Sequence, residues 1–202
     1  MTINVAVVGA GGRMGRQIID GILANKGMVL CAALEKLEHP KNGEKITRDV
    51  SFQDVFLGLN AGFKAADVVI DFTNPETSLE IIELASEMRR PVVTGTTGFT
   101  EFQLEEIKES SNTIAIVQSY NFSIGVNLLL RTIRDYASIL NEDFDIDIVE
   151  SHHRLKKDAP SGTAIKMAGA AAEGRGRRLD DLVVYNGPRN LHTKYVKLRG
   201  KY

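Results

Sequence analysis

The sequence lacks three features that each mark a particular class of protein: a set of cysteines, a long apolar run and an excess of charge of one sign. It has a single cysteine, Cys31, so no disulfide forms within the chain and a reducing compartment is expected. No apolar run approaches the length of a membrane span. The net charge is −1, which gives no support for a nucleic acid or a membrane surface as the partner.

What remains is the composition of an ordinary globular protein, with 43% hydrophobic and 25% charged residues. A length of 202 residues allows one large domain or two small ones. An apolar strand is predicted from residue 3, which leaves no room for a signal or transit peptide, so we expect a cytoplasmic protein. The sequence contains no internal repeat, and we predict no metal site.

The first motif is a glycine-rich turn between a predicted strand and a predicted helix. The apolar run Ile3–Val8 predicts a buried strand, and Gly9, Gly12 and Gly15 follow it at G-x-x-G-x-x-G spacing, with Gly11 also present. Glycine permits a tight turn and lets backbone N–H groups approach a pyrophosphate. Glycine-rich turns also join strands to helices in proteins without ligands, but the strand–turn–helix context favours dinucleotide binding.

A second cofactor signal follows the next predicted strand, residues 29–34. Glu35 is placed to accept hydrogen bonds from the adenosine ribose hydroxyls, which favours NAD. The adjacent Lys36 is suited to a 2′-phosphate, which favours NADP. We therefore predict NADH or NADPH as the cofactor. The alternative is a surface Glu–Lys pair without a ligand.

Strands and helices then alternate, which predicts an α/β fold with a Rossmann-type, doubly wound parallel sheet. Residues 38–57 are polar and irregular, and we expect a loop with one short strand or helix there. Polar and glycine residues follow the predicted strands, where open α/β sheets bind ligands. The further strands are predicted at 66–72, 91–94 and 113–117, and the helices at 76–88, 102–110 and 128–140.

The pattern changes after the fifth strand. Residues 144–149 (FDIDIV) alternate apolar and acidic side chains, which predicts a half-buried strand in an antiparallel or mixed sheet. We place a boundary near Phe122, with a dinucleotide-binding domain over 1–122 and a smaller, incomplete α+β substrate domain over 123–202.

A cluster of basic residues lies in the second domain, within the stretch ESHHRLKKDAPSGTA of residues 150–164. Histidine and lysine next to an anion site are suited to binding a small acid and moving a proton on it. The Ser-Gly-Thr run that follows predicts a helix start, whose N–H groups can hold a carboxylate. The alternative is a solvated basic face followed by ordinary helix capping.

Taken together, these motifs resemble the dihydrodipicolinate reductase family, the 4-hydroxy-tetrahydrodipicolinate reductases of the diaminopimelate route to lysine. GAGGRMGR, LEK, IDFTNPE, GTTGF, SYNFSIGVN and ESHHRLKKDAPSGTA stand in the order seen in that family. The resemblance covers residues 3 to about 186. The last of these stretches is specific to the family, whereas the glycine turn is shared with many others.

The resemblance implies a hydride transfer from the cofactor to a small cyclic dicarboxylate. It implies that His152 is the proton donor and acceptor and that Lys156 is its proton-donating partner. His153 resembles the family's substrate-contacting histidine. Gly162 and Thr163 resemble the pair that holds a substrate carboxylate, which agrees with the predicted helix start.

The resemblance also implies a set of cofactor-binding residues. Lys36 stands where an arginine is common, so it keeps the charge but loses the bidentate fork, and we expect a weaker preference for NADP. The set comprises Gly9, Ala10, Gly11, Gly12, Arg13, Met14, Glu35, Lys36, Gly95, Thr96, Thr97, Ser119, Tyr120, Asn121 and Phe122.

The end of the chain departs from the resemblance. Family members continue further and assemble as homo-oligomers, and residues 191–202 (LHTKYVKLRGKY) resemble a basic tail without a core pattern. We therefore expect a truncated substrate domain that lacks the assembly segment, and impaired turnover. Two hypotheses stay open, an active reductase and a nucleotide-binding protein without turnover. Another dehydrogenase, of the amino-acid or homoserine type, fits the first half but not HHRLKKDAPSGTA.

Overall fold

The computed structural model describes residues 1–54, 61–140, 143–151, 160–186 and 193–198, with the backbone alone at 54, 184–186 and 193–198. The chain divides into two compact units, Met1–Tyr120 and Asn121–Tyr202.

The first unit is built on a six-stranded parallel sheet. Its strands are β1 (Ile3–Val8), β2 (Met28–Glu35), β3 (Phe52–Asp54), β4 (Val68–Asp71), β5 (Val92–Thr94) and β6 (Ile116–Gln118). Their order across the sheet is β3-β2-β1-β4-β5-β6, so the direction of winding reverses between β1 and β4. This confirms the predicted doubly wound sheet, and β3 is the short strand expected within the irregular segment.

Three helices of this unit begin at recognisable capping sequences or at the glycine turn. They are α1 (Arg13–Ala24), α2 (Pro75–Glu87) and α3 (Glu101–Ser110), and residues 61–65 are also helical. The Asn74 side chain accepts from Thr77 N at 3.1 Å, and proline stands at the start of α2. Thr100 and Gln103 form a reciprocal capping box at α3.

The core of the first unit lies on both faces of the sheet. In β1, Ala6 and Val8 belong to one buried cluster, whereas Val5 and Val7 belong to the other. Successive side chains of a strand point to opposite faces, so a continuous apolar run fills both layers. Burying a side chain of this size contributes about 1.5–3 kcal/mol. The strand and its carboxyl end are therefore held rigidly beneath the glycine turn.

The second unit packs helices against a three-stranded antiparallel sheet. Four alanines of the helix at Gly162–Gly174 pack against Ala137 of the helix at Ile124–Leu140. These small side chains let the two helices approach closely. In the described part of the chain, no helix is both long and apolar enough to cross a membrane. The elements are α4 (Ile124–Leu140), β7 (Ile146–Ser151), α5 (Gly162–Gly174), α6 (Leu179–Leu182), β8 (Val183–Asn186) and β9 (Thr193–Leu198).

The prediction of a basic tail over residues 191–202 is wrong for Thr193–Leu198, which form the strand β9. Its backbone pairs with β7 on one side and with β8 on the other, both antiparallel, so it is the central strand of the sheet. The sequence TKYVKL places its two lysines three residues apart, which breaks the alternation expected of a half-buried strand. Pairing with two partner strands therefore decides the structure of a segment whose own pattern is weak.

Candidate functional site

A cleft of about 310 Å³ opens at the carboxyl ends of β1, β2 and β4. The strand order reverses between β1 and β4. At such a position the connections after the two neighbouring strands run to opposite faces of the sheet, so a crevice forms between them. Predicted cofactor residues and unpredicted ones share the cleft. Its lining comprises Val8, Gly9, Gly12, Glu35, Lys36, His39, Phe72, Thr73, Asn74, Thr77, Glu80 and Ile81.

The glycine turn is built from close backbone contacts that leave no room for side chains. Gly9 has a φ of +74°, and a Cβ there would lie 2.6 Å from the carbonyl oxygen of Phe72. A Cβ at Gly15 would overlap the carbonyl oxygen of Gly9. The first turn of α1 thus packs directly on the loop, as a pyrophosphate-binding turn requires.

The start of α1 carries donors suited to an anion. No side chain caps it in the described part of the chain, and its first turn has no acidic residue. The N-cap residue Gly12 lines the cleft, so the free N–H groups and the positive end of a 12-residue helix lie at its edge. Arg13 and Met14 are exposed there. These features fit a dinucleotide pyrophosphate.

Glu35 connects the end of β2 to the glycine turn. Its Oε2 accepts from Gly11 N at 2.8 Å, and its Oε1 accepts from Lys36 N at 3.1 Å. The carboxylate is half-buried at the cleft wall, with the exposed Lys36 next to it. A carboxylate held by two backbone N–H groups beside an exposed ammonium is the arrangement that the predicted contacts with a ribose and a 2′-phosphate need.

His39 is a residue of the cleft that the sequence did not reveal. It is half-buried and lines the cleft, and its ring lies so close to Gly11 that a Cβ there would overlap it. Its Nδ1 accepts from Lys41 N at 3.3 Å, which leaves Nε2 as the nitrogen that donates in the neutral ring. The surrounding segment has no periodic pattern, so no signal marked this histidine.

The loop after β5 holds three predicted cofactor residues, none of which is among the residues lining the described cleft. Gly95 packs against the ring of Phe72, which does line it, because a Cβ on Gly95 would overlap that ring. Thr96 is buried, with its hydroxyl 3.1 Å from Oδ2 of Asp71, whereas Thr97 is exposed. The Thr96 side chain therefore supports the loop from beneath.

The remaining predicted cofactor residues follow β6. Ser119 donates its backbone N–H to Thr94 O at 3.2 Å, which ties this segment to β5. Tyr120 is exposed at the end of the first unit. Asn121 begins the second unit, where its side chain accepts from Ser123 N at 2.8 Å, and Phe122 is exposed.

The predicted substrate residues divide into two groups. His152, His153 and Lys156 lie outside the described residues. Gly162 and Thr163 form the first turn of α5, and both are exposed. This confirms the predicted helix start.

Two contacts organise the start of α5. The Ser161 side chain accepts from Ala164 N at 3.1 Å, and Ser161 N donates to Glu150 Oε1 at 2.7 Å. The N–H groups of Gly162 and Thr163 have no partner within the helix, and among the described residues no atom lies within 4 Å of a Cβ built on Gly162. The turn therefore has N–H donors suited to a carboxylate.

Two further features concern the thiol of Cys31 and clusters of possible metal ligands. Burial raises the pKa of the Cys31 thiol above its ordinary value, so the reactive thiolate is scarce at neutral pH. Within the described ranges, no group of three or more His, Cys, Asp and Glu side chains is arranged to hold a metal ion.

Two family models match the chain. The model described as dihydrodipicolinate reductase, N-terminus, matches residues 3–122. The model described as dihydrodipicolinate reductase, C-terminus, matches residues 125–200. The second match includes β9, so the resemblance extends beyond residue 186, where the sequence motifs ended.

Individual relatives agree with the models. A 4-hydroxy-tetrahydrodipicolinate reductase of Syntrophus aciditrophicus (strain SB) is 40% identical over 187 residues, covering 91% of this chain and 70% of the relative. One of Ralstonia pickettii (strain 12J) is 40% identical over 211 residues, covering 98% of this chain and 79% of the relative.

A solved structure is similar as well. Dipicolinate-bound dihydrodipicolinate reductase from Paenisporosarcina sp. TG-14 is 28% identical and superimposes with a TM-score of 0.68. The similarity covers 95% of this chain and 71% of that one.

Proposed function

The chain belongs to the dihydrodipicolinate reductase family, and from this premise we propose that it reduces 4-hydroxy-tetrahydrodipicolinate to tetrahydrodipicolinate with NADH or NADPH. The reaction is a step of lysine biosynthesis through diaminopimelate. The observation that carries the proposal is the match of both halves, residues 3–122 and 125–200, to the two models of one reductase.

The first unit is the cofactor-binding part. The cofactor supplies a hydride when it is bound. The glycine turn and the start of α1 hold its pyrophosphate, because their backbone N–H groups and helix dipole favour an anion. Glu35 accepts from the ribose hydroxyls, and Lys36 lies next to it for a 2′-phosphate.

The second unit is the substrate-binding part. The similar reductase from Paenisporosarcina, which matches nearly the whole chain, binds dipicolinate, a small aromatic dicarboxylate. Gly162 and Thr163 hold a substrate carboxylate at the start of α5, where both residues are exposed and none of the described atoms crowds Gly162. By resemblance to the family, His153 contacts the substrate, and His152 and Lys156 supply the proton that accompanies the hydride.

The test is an assay of cofactor oxidation with freshly generated substrate, on purified protein of verified mass. We expect loss of reduced-nicotinamide absorbance that requires both the protein and the substrate, and inhibition by dipicolinate. Binding of NADH or NADPH in calorimetry without any turnover would instead support the nucleotide-binding alternative. The impaired turnover expected from the sequence stays a prediction, and the rate of cofactor oxidation in the same assay tests it.

Lys36→Ala should weaken NADPH binding by about fivefold and leave NADH binding nearly unchanged. Only NADPH carries the extra phosphate, and an exposed ion pair of this kind contributes about 1 kcal/mol. Calorimetric titration of both cofactors measures the difference. Lys26→Ala, an exposed lysine before the amino end of β2, is the matched control and should change neither affinity. An equal loss for both cofactors would show that Lys36 does not meet the 2′-phosphate.

A further inference from the structure

A buried carboxylate lies directly beneath the cofactor cleft. Asp71 is the last residue of β4 and is fully buried. Four hydroxyl groups surround it: Thr73 Oγ1 at 2.6 Å from Oδ1, and Ser78 Oγ, Thr94 Oγ1 and Thr96 Oγ1 at 2.5, 2.7 and 3.1 Å from Oδ2. No ion pair joins Asp71 to a cation within the described ranges.

A carboxylate this deeply buried is tolerated in the fold because hydrogen bonds from the protein replace those that water would make. A buried charge without partners costs far more than a buried neutral group, and bonds to a charged acceptor are stronger than neutral ones. The hydroxyls find their partners within the cluster: Thr94, Thr96 and Ser78 are almost fully buried, and Ser78 Oγ also lies 2.8 Å from Thr96 Oγ1. The cluster therefore holds its members in one arrangement.

The four hydroxyls come from four segments of the first unit. Thr73 lies in the turn from β4 to α2, and Ser78 lies in α2 itself. Thr94 ends β5, and Thr96 lies in the loop that follows. The carboxylate thus connects two neighbouring strand ends, the loops that leave them and one helix.

Backbone groups extend the same connection. Thr73 N donates to the Thr96 hydroxyl at 3.1 Å, and Thr96 N donates to the Thr94 hydroxyl at 3.2 Å. Gly95 N donates to the carbonyl oxygen of Asp71 at 2.9 Å. Thr73 and its neighbour Asn74 line the cleft, and Gly95 supports the ring of Phe72, which lines it too. The shape of one cleft wall therefore depends on this cluster.

We propose that Asp71 is a positioning residue for the nicotinamide dinucleotide, acting through Thr73, Thr94 and Thr96. It fixes residues 73–74 and 95–97 in the arrangement that receives the cofactor, without touching the cofactor itself. This inference rests on the proposed function, because it takes the cleft to be the cofactor site.

Asp71→Asn tests the proposal with almost no change of volume. The amide group presents two donors in place of one carboxylate oxygen, so part of the cluster must turn away or lose its partner. We expect the Kd for NADH, measured by calorimetry, to rise about tenfold, with the far-ultraviolet circular dichroism unchanged. Asp67→Asn is the control, since Asp67 stands just before the same strand and its exposed carboxylate accepts from Asn4 N and Nδ2, at 2.8 and 3.1 Å.

Kinetics separate positioning from a purely structural role. Partial unfolding lowers the fraction of active protein, so it lowers kcat and leaves the KM for NADH unchanged. Positioning raises the KM for NADH and changes kcat at saturating cofactor far less. A fall in kcat with an unchanged KM and Kd would overturn the proposal.

A pair of variants at Thr94 covers the case in which Asp71→Asn does not fold. Thr94→Ser keeps the hydroxyl that donates to Asp71, whereas Thr94→Val keeps the shape and removes it. We expect Thr94→Ser to bind NADH as the wild type does and Thr94→Val to bind it several-fold more weakly. Equal affinities for the pair would overturn the proposal. A wild-type protein that binds neither NADH nor NADPH would overturn the proposed function as well, whereas normal wild-type binding with unaffected variants removes only the role of Asp71.

Discussion

His152→Gln and Lys156→Ala should each lower kcat by on the order of 10²-fold or more, because a positioned proton donor contributes a factor of this size to proton transfer. Both residues stand in the chain between the end of β7 at Ser151 and the start of α5 at Gly162. Their roles rest on the resemblance to the family. Steady-state kinetics with saturating cofactor and varied substrate measure the effect.

Two neighbouring residues serve as controls for this prediction. Lys157→Ala removes the same charge next to Lys156 and should leave kcat within a few-fold of the wild type. His153→Gln should raise the KM for the substrate more than it lowers kcat, since His153 is predicted to contact the substrate. If His152→Gln or Lys156→Ala changes KM alone, the residue binds substrate and does not transfer a proton.

Gly15→Ala should weaken the binding of NADH and of NADPH by roughly 10- to 100-fold. The new Cβ would overlap Gly9 O and lie 2.7 Å from the Cα of Ala10, so the backbone of the turn or of α1 has to shift. Overpacking of this kind costs about 1–3 kcal/mol, and the shift falls on the groups that hold the pyrophosphate. Calorimetric titration measures both affinities.

Gly21→Ala is the matched control, because it adds the same methyl group to the same helix. In the described part of the chain, no atom lies within 4 Å of a Cβ built on Gly21. Alanine should raise the stability of α1 by about 0.5–1 kcal/mol through its better helix propensity, seen as a higher melting temperature, with unchanged cofactor binding. If Gly15→Ala binds both cofactors as the wild type does, the glycine turn is not the cofactor site.

Several features of the fold were determined by short stretches of sequence. The apolar run of β1 predicted its bounds, Ile3–Val8, because a strand buried on both faces needs no polar position. The helix predicted over 76–88 begins at Pro75, where a proline has no N–H to leave unpaired. The glycine turn and Glu35 were visible for the same reason: each adjoins its own strand.

The tertiary structure alone decided which distant residues meet. Asp71 lies within the predicted strand 66–72, and no local pattern distinguished it from the rest of that strand. Its cluster forms because β4 and β5 pair in parallel and end together, which brings Thr94 to it from 23 residues away. His39 reaches Gly11 from a segment without a pattern. The strand β9 is defined by two antiparallel partners and not by its own alternation. Local patterns report what a segment does with its own backbone and solvent, whereas these contacts depend on pairing between segments far apart in the chain.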